Sequence, residues 1–192
     1  MGKLSGVQLE IDKRLLEHQP EWVNKRWAQY ENHSTMEIIN ELSRIRRISE
    51  FNETVISNLR GGYLLNNWLN NALNVANGTM TKPNRMLLYS SHEGTLLSLM
   101  YAMGVANDRL VPFASSIIME IFKDGSDHYV ELLYRNDTTT PPYLLEIEGC
   151  QPCTVQKLLK RYGSMVVESY GQQQVLCGTP VKKCNGAPVS ML

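Results

Sequence analysis

The chain has 192 residues, of which 43% are hydrophobic, and its 19 lysines and arginines balance 19 aspartates and glutamates. This length is enough for one core, so we expect a single domain over residues 1–180 and an irregular tail over residues 181–192. The balanced charge excludes a basic field for nucleic acid, and the longest apolar stretches, such as residues 96–103, are too short to span a membrane. Residues 1–6 lack the pattern of a signal peptide.

The first part of the chain is predicted to be helical, because two sets of apolar residues recur at the spacing of a helix face. The first set is Met36, Ile39, Leu42, Ile45 and Ile48, and the second is Leu64, Leu65, Trp68, Leu69, Ala72, Leu73 and Ala76. We expect both stripes to pack in the core. The Asn77-Gly78 pair is expected to end the second helix, since both residues tolerate left-handed backbone.

A short apolar run, Met86-Leu87-Leu88-Tyr89, lies between Pro83-Asn84 and Ser90-Ser91. It predicts a buried strand of an α/β sheet. Helical spacing returns over residues 95–103, so the chain passes from strand to helix through Ser91-His92-Glu93-Gly94. Ligands of such sheets bind beyond the carboxyl ends of the strands, where a helix N terminus offers free N–H groups to an anion. We therefore expect the functional site at this turn.

The second half of the chain adds antiparallel strands and a short helix. Two β-rich runs, residues 117–123 and 129–134, flank the turn at residues 124–127 and predict a β-hairpin. A helix is predicted over residues 155–162, with the preceding threonine as its N-cap. Beyond Gly171 the chain is expected to be irregular.

His92 and Glu93 are adjacent, so both side chains are expected to reach a cleft at the end of the predicted strand. A histidine can hold a phosphoryl oxygen or act as base or nucleophile, and a carboxylic acid can protonate a leaving alkoxide. Cleavage of a phosphate ester needs both functions. Without further context, a surface or structural pair is the commoner explanation of such a dipeptide.

Two features of the sequence indicate that the protein is located outside the cytosol. Four sequons fit N-glycosylation, at Asn32, Asn52, Asn77 and Asn136. Asn136 ends the predicted hairpin and is expected to face solvent. Four cysteines lie in the last quarter of the chain, at positions 150, 153, 177 and 184. Their spacing favours disulfides over free thiols and over a zinc site, which typically needs a second close pair.

From about Gln19 to Cys177 the chain resembles the histidine acid phosphatases of the prostatic and lysosomal type. The matching motifs are, in order, Pro20-Glu21-Trp22, Arg60-Gly61-Gly62 with Leu64 and Asn66, the segment from Met86 to Thr95, Pro112-Phe113-Ala114-Ser115, Tyr134-Arg135-Asn136, Pro142-Tyr143 and Gly149-Cys150. A single motif can arise by chance, but an ordered series of this length does not. This context makes a structural explanation of the His-Glu pair the less favoured one.

The resemblance implies an α/β fold: the second half of a histidine-phosphatase sheet domain flanked by helices, with part of a helical cap region at the N terminus. It also implies an acid phosphatase that hydrolyses phosphate monoesters through a phosphohistidine, without a cofactor or metal ion. His92 is then expected to bind the phosphate, and Glu93 to donate a proton to the leaving group. The family usually has aspartate at that position, so glutamate moves the acid one methylene outward.

The family's nucleophile lies in an Arg-His-Gly-x-Arg-x-Pro motif, and no Arg-His pair occurs in these 192 residues. We therefore expect the chain to be inactive alone, as a fragment or truncated product of a working phosphatase. The alternative is a secreted non-catalytic binding protein derived from that family. The resemblance further implies a secreted or lysosomal location and is compatible with a homodimer.

The resemblance also bears on the cysteines and on one arginine. It pairs Cys150 with Cys153 in a local disulfide, although the spacing is one residue shorter than in the family. It leaves Cys177 to pair with Cys184 or to stay free, because the family partner of Cys177 lies upstream. Arg60 is expected to have a structural role rather than to contact phosphate.

Overall fold

The computed structural model of the protein describes residues 20–83 and 85–178. These residues form two compact units. The first contains residues 20–50 and 108–110, and the second contains the described residues of 51–107 and 111–178. The domain boundary expected at residue 180, and the irregular tail after it, lie outside the described residues.

The first unit is built around one amphipathic helix. Its elements are, in chain order, α1 (Glu21–Asn24), β1 (Arg26–Trp27), a 3₁₀ turn (Ala28–Tyr30), β2 (His33–Ser34) and α2 (Thr35–Ile48), with the two strands antiparallel. The Ser34 hydroxyl accepts a hydrogen bond from Glu37 N at 3.2 Å, and Glu37 Oε2 accepts one from Ser34 N at 2.6 Å. This capping box satisfies two N–H groups at the start of α2.

Helix α2 confirms the first predicted helix, but its apolar stripe is only partly buried. Ile39 and Ile48 are buried, whereas the side chains of Leu42 and Ile45 are 48% and 50% exposed. The expectation that the whole stripe packs in the core is therefore wrong. Within this unit, α2 packs mainly against α1 and β2. They are too short to cover one face of a 14-residue helix.

The second unit contains the remaining elements. These are, in chain order, α3 (Thr54–Ala76), α4 (Glu93–Met103), β3 (Ser116–Asp124), β4 (Asp127–Arg135), β5 (Tyr143–Leu144), α5 (Val155–Tyr162) and α6 (Tyr170–Leu176). Helix α3 confirms the second predicted helix and ends as expected, with Asn77 as its C-cap and Gly78 at a φ of +68°. Its apolar stripe packs against α4.

Two glycines of the Arg60-Gly61-Gly62 motif let the backbone of α3 approach its neighbours. A Cβ atom on Gly61 would lie 2.2 Å from Ser98 O on α4, and one on Gly62 would lie 2.7 Å from Met165 O. Gly62 O also accepts a hydrogen bond from Val167 N at 3.2 Å. These positions need glycine because no side chain fits between the packed backbones.

The predicted hairpin is confirmed and is longer than predicted. Strands β3 and β4 pair antiparallel from Ser116 opposite Arg135 to Asp124 opposite Asp127. Gly125 has a φ of +59°, which the first central residue of a tight hairpin turn requires. Strand β5, which the sequence analysis did not predict, adds to the far side of β4.

The predicted buried strand at residues 86–89 is not a strand in this structure. These residues have no regular secondary structure, and their four apolar side chains are between 43% and 85% exposed. A strand is held by hydrogen bonds to a neighbour. Within residues 20–83 and 85–178, β1 pairs with β2, β3 pairs with β4, and β4 pairs with β5. None of these pairs with residues 86–89.

The C-terminal part of the second unit is more regular than predicted. Helix α5 confirms the predicted helix, and the Thr154 side chain accepts a hydrogen bond from Lys157 N at 3.2 Å. The expectation of irregular chain beyond Gly171 is wrong for the described residues, because α6 extends to Leu176. Ser169 caps this helix by accepting from Gln172 N at 3.1 Å, and Gln173 Nε2 donates to Leu59 O on α3.

The core of the second unit lies between α3, α4, α5 and strand β4. Its buried members are Leu65, Trp68, Leu69, Ala72, Leu99, Ala102, Met103, Val130, Leu132, Ile147, Cys150, Val155, Leu158 and Tyr162. The Tyr162 hydroxyl donates a buried hydrogen bond to Met103 O at 2.7 Å, which links α5 to the end of α4. The fold is thus mixed α/β with small antiparallel sheets, as expected of a partial α/β domain flanked by helices. In the described part of the chain, no helix is both long and apolar enough to cross a membrane.

Candidate functional site

The His-Glu pair lies at the start of α4. His92 is the N-cap residue, with extended backbone at a φ of −122° and a ψ of 163°, and Glu93 is the first helical residue. The carbonyl of His92 accepts hydrogen bonds from Thr95 N at 2.9 Å and from Leu96 N at 3.3 Å. The His92 side chain makes no capping hydrogen bond to this N terminus. The positive end of the α4 helix dipole lies at the His-Glu pair, and such a helix start suits an anion.

The two side chains of the pair differ in exposure. His92 is exposed and Glu93 is half-buried. An imidazole that faces solvent can meet a phosphate oxygen, while a carboxyl group on the next residue can reach a leaving-group oxygen on the same ligand. The helix start therefore brings together the two groups that the sequence analysis selected.

A hydrogen-bond network holds the chain segment that leads into this helix. The Tyr89 hydroxyl donates to Asn67 Oδ1 at 2.6 Å and accepts from Asn71 Nδ2 at 3.1 Å, so it bonds to two residues one turn apart on α3. Asn71 Nδ2 also donates to Asn67 Oδ1 at 3.2 Å. The Tyr89 ring packs on Trp68, with 6.2 Å between the ring centroids. Burial raises the pKa of the Tyr89 phenol, and the hydrogen bond from Asn71 partly opposes that shift.

Sequence reasoning missed this network. Asn67 and Asn71 are four residues apart, a spacing that places both amides on one face of a helix. Their partner is 22 and 18 residues away along the chain, and nothing in the local pattern indicates which residue it is. The signal in the sequence was only a polar pair beside the apolar stripe of α3.

Arg60 packs on an aromatic ring. Its guanidinium carbon lies 5.0 Å from the ring centroid of Phe51, within the range of a cation–π contact. This contact agrees with the structural role expected for Arg60.

Two other histidines lie on strands, away from the His-Glu pair in sequence. His33 is on β2, and His128 is on β4, where it pairs with Lys123 across the hairpin. His18 lies outside the described residues.

Cys150 and Cys153 form a disulfide in this structure, so neither offers a free thiolate to a metal ion. The loop between them is anchored, because Val130 N donates to Cys153 O at 2.8 Å and Lys157 Nζ donates to Gln151 O at 3.0 Å. Cys177 is exposed and forms no disulfide with another described cysteine. Cys184 lies outside the described residues, so a pairing between Cys177 and Cys184 stays a prediction.

The four sequons differ in accessibility. Asn32, Asn52 and Asn77 are exposed, and Asn136 is half-buried. The expectation that Asn136 faces solvent freely is therefore only partly correct. The reason is that Asn136 directly follows β4, the central strand of the three-stranded sheet.

Comparison with known proteins identifies the family. A family model of the histidine phosphatase superfamily, branch 2, matches residues 27–135, which is more than half of the chain. The chain belongs to this superfamily, as the resemblance of its motifs implied.

The curated relatives are acid phosphatases. The chain is 30% identical over 148 residues to the prostatic acid phosphatase of Rattus norvegicus, a match that covers 77% of this chain and 38% of that protein. It is 26% identical over 183 residues to the Homo sapiens prostatic acid phosphatase, covering 90% of this chain and 47% of that protein. It is 32% identical over 124 residues to the lysosomal acid phosphatase of Bos taurus, a match that covers 64% of this chain and 29% of that protein. The chain thus spans less than half the length of these relatives.

Proposed function

We propose that this chain provides the proton-donor part of an acid phosphatase site that hydrolyses phosphate monoesters. In this proposal His92 holds a phosphoryl oxygen and Glu93 protonates the leaving alkoxide. The observation that carries it is the placement of His92 and Glu93 at the N terminus of α4, where the helix dipole favours an anion. The family membership of the chain supports the same assignment.

The first half of the reaction needs a group that this chain does not contain. Attack on phosphorus by a histidine nitrogen forms a P–N bond as the P–O bond to the alcohol breaks, and the departing oxygen takes the proton of the Glu93 carboxyl group. The family's nucleophile belongs to an Arg-His motif, and the 192 residues contain no Arg-His pair. We therefore assign the nucleophile to a polypeptide segment beyond these residues.

The second half of the reaction reverses the proton transfer. Water attacks the phosphorus of the phosphohistidine, so that a new P–O bond forms as the P–N bond breaks and the histidine is released. The Glu93 carboxylate, now deprotonated, accepts a proton from that water. The N terminus of α4 and the His92 imidazole stabilise the negative charge on the phosphoryl oxygens. One carboxyl group thus acts first as acid and then as base.

Secretion or delivery to a lysosome is part of the proposal. The relatives named above are prostatic and lysosomal acid phosphatases, and the Cys150–Cys153 disulfide is typical of an oxidising compartment. A homodimer stays an expectation from the family resemblance.

The leaving-group dependence of Glu93→Gln tests this function. The chain is joined behind the N-terminal half of the Rattus norvegicus prostatic acid phosphatase, and alkyl and aryl phosphates are compared as substrates. A lost proton donor slows alkyl phosphates by about 100-fold or more, while aryl phosphates, whose leaving groups scarcely need a proton, lose much less. Glu148→Gln is the matched control, because the Glu148 side chain is 94% exposed.

Three results would each contradict a part of the proposed function. Equal losses on both substrate classes would remove Glu93 from the proton-donor role. Robust activity of the 192-residue chain alone would contradict the assignment of the nucleophile to another segment. A folded joined protein without any phosphatase activity would favour the alternative, a secreted non-catalytic binding protein.

A further inference from the structure

The second unit has a cleft of about 170 Å³ between strand β4 and the loop that contains the Cys150–Cys153 disulfide. Hydrogen bonds attach this loop to the strand on both sides of the cleft. Leu145 N donates to Leu132 O at 2.7 Å, before the loop leaves the strand. Val130 N donates to Cys153 O at 2.8 Å, where the loop returns. The fold thus holds the cleft open before any ligand binds, which reduces the ordering cost of association.

An aromatic pair lines this cleft. Phe122 on β3 and Tyr129 on β4 are directly opposite each other in the hairpin, and both are among the lining residues. Their rings stack, with 5.8 Å between the ring centroids and 21° between the ring planes. Leu144 and Pro152 also line the cleft. Aromatic faces beside apolar carbon attract cations that are weakly hydrated.

Glu131 provides the charged side chain among the residues that line the cleft. It lies two residues after Tyr129 on β4, so both side chains are on the same face of the sheet. Glu120 on β3 is directly opposite Glu131. Within residues 20–83 and 85–178, neither carboxylate takes part in an ion pair. Like charges in opposed positions destabilise a strand pair, and a bound cation would offset this repulsion.

The sheet that carries the cleft is acidic, although the chain as a whole has no net charge. Residues 116–154 contain seven aspartates and glutamates, against one lysine and one arginine. Lys157 follows on α5, but its ammonium group donates to Gln151 O and Pro152 O, and it is not among the lining residues. The charge around the cleft therefore favours a cation over an anion such as phosphate.

We propose that this cleft binds a quaternary ammonium group, such as the trimethylammonium group of choline. The volume indicates a small ligand, because a cavity of about 150 Å³ holds benzene, whereas drug-sized ligands occupy pockets of about 300–1,000 Å³. The apolar and aromatic lining disfavours a primary ammonium group, which is strongly hydrated and carries three hydrogen-bond donors. This inference does not depend on the phosphatase function proposed above.

A titration with choline tests the proposal. Choline chloride is added to the ¹⁵N-labelled chain at neutral pH and constant ionic strength, and the amide chemical shifts are recorded. Saturable shifts are expected at residues 129–132 and 150–153, with a dissociation constant of about 1–10 mM. The neutral isostere of choline, in which a carbon atom replaces the nitrogen, should bind at least about fivefold more weakly because it lacks the charge. N-acetyl-lysinamide, which carries a primary ammonium group, should also bind at least about fivefold more weakly.

Two variants separate the contributions of the charge and the ring. Glu131→Gln keeps the length of the side chain and should weaken choline binding by at least about fivefold. Tyr129→Leu should weaken it by a similar factor because it removes an aromatic face. Glu148→Gln is the matched control for the lost charge, since the Glu148 side chain is 94% exposed and does not line the cleft. The dispersion of the amide spectrum shows whether each variant is folded, and the comparison of the ligands needs no variant.

Four results would each overturn the proposal. The first is the absence of saturable shifts at the cleft with choline. The second is unchanged choline binding by Glu131→Gln and Tyr129→Leu. Equal binding of the neutral isostere would show that the cleft recognises apolar shape rather than a cation. Equal or tighter binding of N-acetyl-lysinamide would assign the cleft to a lysine side chain instead of a quaternary ammonium group.

Discussion

The hydroxyl of Tyr89 donates a 2.6 Å hydrogen bond to Asn67 Oδ1, across 22 residues of sequence, and this bond links the segment before His92 to helix α3. Tyr89 lies on the segment that was predicted to be a strand. A strand in a sheet is positioned by its ladder, and here the ladder is replaced by one side chain and its ring contact with Trp68. We therefore expect Tyr89, together with the packing of α4 on α3, to position His92.

Tyr89→Phe should loosen the start of α4 with only a small loss of global stability. Asn67 and Asn71 would still bond to each other, so the expected decrease in the free energy of unfolding is about 1 kcal/mol. The backbone order parameters of residues 90–92, measured by ¹⁵N relaxation, should fall. The matched control is Tyr30→Phe, on an exposed tyrosine of the first unit. Unchanged order parameters at His92 would show that the phenol does not position it.

The sequence predicted those parts of the fold that depend on local patterns. Helix α3 is long, and its apolar stripe and its C-terminal Asn-Gly pair can both be recognised from the local sequence without knowledge of what the helix packs against. The β3–β4 hairpin was predicted because its glycine turn lies between two β-rich runs. In both cases the residues that form the element are close in sequence.

The sequence failed where an element depends on a distant or external partner. Residues 86–89 have the composition of a strand, but a strand forms only beside a neighbour, and a single sequence does not show whether one is present. The same limit applies to the site. His92 and Glu93 were found because they are adjacent, whereas the contact of Tyr89 with Asn67 joins residues 22 positions apart.

Gly61→Ala should strongly destabilise the second unit. The new methyl group would lie 2.2 Å from Ser98 O and 2.7 Å from Ala102 Cβ, so α3 and α4 would have to move apart. We expect a loss of about 3 kcal/mol in the free energy of unfolding, measured by denaturant titration. Gly171→Ala is the control, since its nearest heavy atom, Ser169 Oγ, is 3.8 Å away. That change should alter stability by less than about 1 kcal/mol. Similar values for both variants would contradict the close packing of α3 on α4.

Passage through a secretory host should add N-glycans at the exposed sequons. Asn32, Asn52 and Asn77 are accessible, whereas half-buried Asn136 should be modified less completely. Intact mass before and after glycosidase treatment measures total occupancy, and single Asn→Gln variants assign it to each position. The absence of any mass shift would count against the secreted or lysosomal location.

Stability at alkaline pH should depend on Tyr162. Burial raises the pKa of this phenol to about 12 from the ordinary value of 10.0, although the neighbouring Arg161 acts in the opposite direction. The folded state therefore keeps the proton more tightly than the unfolded state does. A group of this kind contributes its full stabilisation below the unfolded pKa, and that contribution is lost as the pH rises through the folded pKa. The Tyr162 contribution should therefore decline between about pH 10 and about pH 12.

The variant Tyr162→Phe isolates this contribution. It lacks the hydrogen bond to Met103 O and should be less stable at neutral pH by about 1–2 kcal/mol, because that buried carbonyl loses its donor. Its free energy of unfolding should then fall less steeply than that of the unaltered chain as the pH rises above about 10, since it has no phenol to ionise there. The measurement is a series of denaturant titrations across this pH range, with phenolate absorbance recorded in parallel. Two stability curves that run parallel over the whole range would show that ionisation of Tyr162 is not coupled to unfolding.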